Sequence, residues 1–312
     1  MSNLLVSAEG ISKRYRSTQA LKDLHLSVPE GSVCGLLGPN GSGKTTAIRV
    51  LLGLTRANAG NAELLGVPVG GQGFRNAVSQ AGSLIEGPAL YGRATARQNM
   101  NIQARARGLS PTEAGVDGLL ELVGLTGRAD SNARGFSLGM KQRLGLAIAL
   151  IGSPKIVILD EPTNGLDPSG IVEIRELIKR LPQSGTTVLV SSHLLSEVQL
   201  MCDRATIINK GSVVAEGTMD EILGQAGGDG GYMVRVTTEE VPEAYRILSE
   251  IGLSVFQAEN GELLVDGPVE DGSQINVVLA DSGIYASELR KNQADLEKVF
   301  MSLTHDPDAP VT

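Results

Sequence analysis

The run Val33-Cys34-Gly35-Leu36-Leu37-Gly38-Pro39-Asn40-Gly41-Ser42-Gly43-Lys44-Thr45-Thr46 decides how this chain is read. Val33–Leu37 has the length and apolar character of a buried strand, and from Lys44 to Leu54 apolar residues recur at helical spacing. Between them Gly38–Thr45 fits G-x-x-x-x-G-K-[ST] in the context that motif needs, after a strand and opening a helix. Its glycines let the backbone curl until several N–H groups face a phosphate, and the helix start adds partial positive charge. Lys44 supplies a full charge, Thr45 offers a hydroxyl to Mg2+, and the candidate contacts run from Gly38 to Thr46. Further on, Ile156-Val157-Ile158-Leu159-Asp160-Glu161 ends an apolar strand in two carboxylates. Neighbours on a strand point to opposite faces, so Asp160 is expected to hold the metal while Glu161 polarises a water.

Outward from these segments the chain alternates β-type and helical runs to about residue 224, the pattern of an α/β domain with a largely parallel sheet. Thr187–Ser191 and Thr206–Asn209 read as further strands and Lys141–Ile151 as a helix. Thr218 with Glu221 forms a capping box opening a short helix at the end of this domain. Residues 225–231, dense in glycine, read as a linker. Beyond it Tyr232–Thr237, Leu253–Gln257 and Glu262–Val265 read as strands, and Val241–Ile251 and Ile275–Ser282 as helices. This predicts a small α+β module over 232–304, like half of a ferredoxin-like fold, followed by a helix over Gln293–Leu303. The tail 305–312 is expected to be disordered.

Over 312 residues the net charge is −8, which argues against a nucleic-acid partner. The nearly apolar stretch Leu144–Ile151 is far too short to cross a bilayer, and the N-terminus lacks the pattern of a signal peptide. A cytoplasmic protein is expected. Cys34 and Cys202 lie without metal-ligand spacing and read as inert thiols.

Many phosphate-loop proteins share the glycine loop and the Asp-Glu strand. Phe136-Ser137-Leu138-Gly139-Met140-Lys141-Gln142-Arg143 narrows the field: it resembles the signature L-S-G-G-Q-x-Q-R of ABC ATPases, with Leu138 and Met140 departing from the common Gly and Gln. Ser137 also suits a helix N-cap. The resemblance implies a phosphate-loop ABC ATPase domain with a helical subdomain at about 87–152. It implies a homodimer that clamps two ATP–Mg2+, each subunit lending Ser137, Gly139 and Asp167, of the loop Asn164-Gly165-Leu166-Asp167, to its partner's nucleotide. It gives Tyr15 the role of stacking on adenine and His193, in Ser191-Ser192-His193, that of reaching the γ-phosphate. The family's usual loop glutamine falls, in this register, on Glu86 of Ser83-Leu84-Ile85-Glu86-Gly87-Pro88; a carboxylate there is able to ligate Mg2+ yet repels the γ-phosphate.

The Glu-Gly-Pro form, the signature and the trailing module together resemble the ATPase subunits of ABC-2 exporters, among them those for bacitracin, lantibiotic and daunorubicin resistance. That implies ATP hydrolysis driving efflux through a separate membrane permease, with this subunit peripheral on the inner face of the membrane. Gly87–Gly108, with Tyr91, Arg93, Arg97, Arg105 and Arg107, is the expected docking surface. Alternative readings are the ATPase of an uptake system, a soluble ABC ATPase acting on ribosomes or DNA, and a regulator that no longer hydrolyses ATP. The intact Asp160-Glu161 pair weighs against the last. The single cassette, without a long coiled coil, weighs against the ribosome and DNA readings.

Overall fold

A computed structural model describes residues 3–224, 231–257, 261–267, 271–291 and 296–304. Most of the expected linker and the whole tail after residue 304 lie outside the described residues. The chain divides into two compact units, Met1–Met219 and Asp220–Thr312.

The first unit runs β1 (Leu4–Tyr15), β2 (Thr18–Pro29), β3 (Val33–Leu37), α1 (Lys44–Leu51), β4 (Ala59–Leu64), β5 (Val67–Pro68), α2 (Phe74–Ser79) and β6 (Ala81–Leu84). It continues through α3 (Ala96–Ala106), α4 (Val116–Leu122), α5 (Leu138–Ala149), β7 (Ile156–Asp160), α6 (Pro168–Arg180), β8 (Thr187–Ser192), α7 (Leu195–Met201), β9 (Arg204–Asn209) and β10 (Ser212–Thr218). The central sheet has six strands in the order β10-β9-β3-β8-β7-β6. All its pairings are parallel except β9 with β10. β3 and β7 are buried along their whole lengths, which is why they read as unbroken apolar runs with no alternation.

A second, antiparallel sheet, β2-β1-β4-β5, was not legible in the sequence, whose reading names no strand before Val33. β1 and β2 are twelve residues each, and their pairing shifts register between Ala8 and Ile11 and again before Lys13. Each bulge breaks the two-residue period by which a strand is recognised. The predicted helix from Lys44 stops at Leu51, ahead of Gly53 in left-handed backbone. The helix predicted from Lys141 starts three residues sooner, because Ser137 caps it by accepting the Met140 N–H at 3.2 Å.

A helical cluster of α3, α4 and α5 has its own apolar core, including Met100, Leu120 and Leu144. α5 also packs on β6 so closely that a β-carbon on Gly82 would lie 2.0 Å from the Ala149 carbonyl oxygen.

The boundary between the units falls at the start of α8 (Met219–Gly224), directly after Thr218, and not after that helix at residue 224. A short capped helix is a joint whose side of a boundary only contacts decide. The second unit continues with β11 (Tyr232–Arg235), α9 (Val241–Glu250), β12 (Ser254–Gln257), β13 (Leu263–Asp266), α10 (Gly272–Asp281), β14 (Glu288–Lys291) and α11 (Leu296–Thr304). Its antiparallel sheet, ordered β12-β13-β11-β14, completes the β-α-β-β-α-β ferredoxin-like pattern, of which the sequence shows half. The missing strand is β14, Glu-Leu-Arg-Lys, which carries no alternation of apolar residues and is held by its backbone pairing to β11. Val241, Ala244, Ile247 and Leu248 form the buried stripe of α9, against Val234, Leu263 and Val265 of the sheet.

Candidate nucleotide-binding site

The loop between β3 and α1 turns through glycines that no other residue type replaces freely. Gly38 has φ +153°, and a β-carbon there would meet the Ile208 carbonyl oxygen at 2.2 Å. Lys44 follows at the start of α1 and is 5% exposed. Its Nζ donates to the carbonyls of Gly38 at 2.7 Å and Pro39 at 3.3 Å, and pairs with Glu161 Oε1 at 3.1 Å. Ser42, also within the loop, has a buried Oγ without a partner among the described residues. A buried hydroxyl left so is costly in a finished fold, and a phosphate oxygen would satisfy it.

β7 stands two strands from β3, with β8 between them, and delivers the carboxylates. Asp160 is 4% exposed. Its Oδ2 accepts from Thr45 Oγ1 at 2.8 Å and its Oδ1 from Ser191 Oγ at 2.6 Å. Glu161 N–H donates to that same Ser191 Oγ at 3.0 Å. Glu161 Oε2 lies 2.6 Å from His193 Nδ1, so both carboxylate oxygens of Glu161 are engaged, one by Lys44 and one by His193. The expected divergence of Asp160 and Glu161 is present, with a different cause. Glu161 lies beyond the last residue of β7 with φ +50°, so a left-handed turn and not strand pleating aims it.

Beside these groups is a cavity of about 720 Å³ whose walls include Thr45, Asp160, Glu161, Glu86, Leu138 and Gln142. Thr45, Asp160 and Glu86 present oxygen donors only, the set that suits a hard cation such as Mg2+. Glu86 itself forms an ion pair with Arg49.

Other expected site residues lie apart from this cluster. Tyr15 ends β1 and is 41% exposed, with Lys13 Nζ 4.9 Å from its ring centroid. Ser137 and Asp167 cap α5 and α6, Asp167 Oδ1 accepting from the Gly170 N–H at 3.2 Å. Leu138 reaches the loop before α6, where a β-carbon on Gly165 would lie 3.0 Å from its Cδ2. Of the docking arginines, Arg97 pairs with Asp117 and Asp130, and Arg107 Nη1 donates to the Ile151 carbonyl at 2.7 Å. Those two are engaged within the subdomain, whereas Tyr91, Arg93 and Arg105 are exposed.

Sequence reasoning missed Ser191, Arg49 and Gln142 as site residues. Gln142 is 5% exposed and its Oε1 has no partner among the described residues. The available signals were slight: Ser191 belongs to the Ser-Ser-His run, and Arg49 follows Thr45 by one helical turn. Burial pushes the thiols of Cys34 and Cys202 above their usual range, in keeping with unreactive core cysteines.

Three strand ends of one parallel sheet converge on the first turn of α1, and this grip on a polyphosphate beside a hard-cation site defines a phosphate-loop NTPase. Residues 21–164 match the family model described as "ABC transporter". The chain is 35% identical to the daunorubicin resistance ATP-binding protein DrrA3 of Streptomyces coeruleorubidus over 98% of both chains. It is 33% identical to the bacitracin transport ATP-binding protein BcrA of Enterococcus faecalis over 96% of both. A solved structure of an ATP-binding subunit of an ABC transporter superposes with TM-score 0.64 at 32% identity, covering 72% of this chain and 93% of that one. The protein belongs to the ABC transporter family, as one of its ATP-binding proteins.

Proposed function

We propose that this chain is the ATP-hydrolysing subunit of an exporter, working as a homodimer with a separate membrane permease. The observation that carries the catalytic part is Glu161 held between Lys44 and His193, next to Asp160 held by Thr45. Lys44 is almost wholly buried, so its charge needs a partner, which here is Glu161. A polyphosphate carries several negative charges and competes for that ammonium. Once Lys44 turns to the phosphates, Glu161 keeps only His193 and has one carboxylate oxygen free for water. Water oxygen then bonds to the γ-phosphorus as the bond to the bridging oxygen breaks, with Glu161 taking up the proton and ADP leaving. Mg2+ bound at Thr45 and Asp160 would neutralise charge on the phosphates. His193 orients Glu161 throughout, and the loop N–H groups hold the phosphates still.

Tyr15 would stack on the adenine, and Ser137, Gly139 and Asp167 would serve the nucleotide of the partner copy. Ser137 and Asp167 already cap their helices, which supports the reading because a capped helix start is a rigid donor of N–H groups. The relatives named for daunorubicin resistance and bacitracin transport favour efflux over uptake. No helix among the described residues is long and apolar enough to cross a membrane, which fits a subunit docked on a permease through the exposed Tyr91, Arg93 and Arg105. The cytoplasmic, membrane-peripheral location follows from that docking.

Replacing Lys44 by Ala removes the preorganised charge and is expected to lower ATPase turnover by at least about a hundredfold. Wild-type turnover in Lys44→Ala, measured as phosphate release, would defeat the assignment. Purification from detergent-solubilised membranes is expected to bring down a hydrophobic permease with the chain.

A further inference from the structure

A glutamate at the wall of a phosphate cavity is an electrostatic liability. The cavity already holds Asp160, satisfied by two neutral hydroxyls, and Glu161, whose counter-charge Lys44 turns to phosphate in the reading above. Glu86 would be a third carboxylate facing the same anion. Its placement is enforced by the backbone: Glu86 has φ +57° and Gly87 +104°, a left-handed pair that persists only where the surroundings demand it.

Arg49 answers that charge. It stands one helical turn after Thr45, so the face of α1 that carries a hydroxyl to Asp160 also carries a guanidinium to Glu86. Glu86 is the one acidic partner of Arg49, and Arg49 the one basic partner of Glu86, among the described residues. With side chains 39% and 62% exposed, the pair adds little to folding stability. Its consequence lies in the field at the cavity.

We propose that Arg49 is a positioning residue for nucleotide binding: it neutralises Glu86 and keeps its carboxylate off the terminal phosphate. A glutamate is thereby compatible with ATP at a position where a neutral amide would need no such partner. This inference rests on the ATPase reading above.

The test is binding of a fluorescent ATP analogue with Mg2+ to the full chain, in wild type, Arg49→Met, Glu86→Gln and the double variant. Groups in direct contact couple measurably, and at this exposure Arg49→Met is expected to weaken binding about fivefold, more for the ATP than the ADP analogue because Glu86 shares its cavity with Glu161. In the Glu86→Gln background the same substitution is expected to cost less than about twofold, since no charge remains to be neutralised. Arg49→Lys, which keeps the charge and guards against a folding defect in Arg49→Met, should bind within about twofold of wild type. An undiminished loss in the Glu86→Gln background, or a loss in Arg49→Lys equal to that in Arg49→Met, overturns the inference alone. Wild-type protein that binds no analogue overturns the ATPase reading and the inference with it.

Discussion

Ser191 does two jobs with one hydroxyl. It is wholly buried on β8, donates to the metal-facing Asp160, and accepts the backbone N–H of Glu161. Removing it leaves a buried carboxylate oxygen unpaired, a loss of about 1–3 kcal/mol in desolvation. Supporting partners of metal-binding groups are typically worth about tenfold or more in metal affinity. Ser191→Ala is therefore expected to raise the Mg2+ concentration for half-maximal ATPase about tenfold. Ser191→Thr, which restores the hydroxyl, should return it to near the wild-type value. An unchanged Mg2+ titration in the alanine variant would mean that Thr45 alone orients Asp160. The chemistry of Lys44, Thr45, Asp160 and Glu161 was legible because each sits inside a local motif with its own reason for being there. The roles of Ser191 and Arg49 were not, because a serine on a strand and an arginine on a helix acquire meaning only from the neighbour they meet.

Legibility at the level of elements followed burial. β3 and β7, covered on both faces, announce themselves as apolar runs, and α9 by its stripe. β1, interrupted by bulges, and β14, polar and four residues long, are strands because a neighbour pairs with them. The packing of α5 on β6 belongs to the same class of fact. Nothing around Gly82 in the sequence says that a helix carbonyl stands where its β-carbon would be. Gly82→Ala is expected to force α5 away from the sheet and destabilise this unit by about 1–3 kcal/mol, read as a lower urea midpoint. α5 also carries Ser137 at its start, so the variant should lose ATPase activity even where it remains folded. Wild-type stability would mean that the helix has room to shift.

At the scale of the whole molecule the reading demands two copies, since Ser137 and Asp167 serve no nucleotide within their own chain. Glu161→Gln keeps the site's shape while weakening the base, so ATP–Mg2+ is expected to hold this variant as a dimer on size exclusion and its absence to return a monomer. A variant that stays monomeric with saturating ATP–Mg2+ would contradict the paired arrangement. By itself the sequence determined the phosphate loop, the Asp-Glu strand, the capped helix starts and the α/β order. These rest on preferences that act within a few residues: glycine's access to positive φ, apolar periodicity and cap chemistry. Tertiary structure alone decided which side chains share a site. Thr45 meets Asp160 across 115 residues and Arg49 meets Glu86 across 37, because strand order and helix register bring distant segments to one sheet edge. Those contacts are set by the packing of whole elements, and no local preference encodes them.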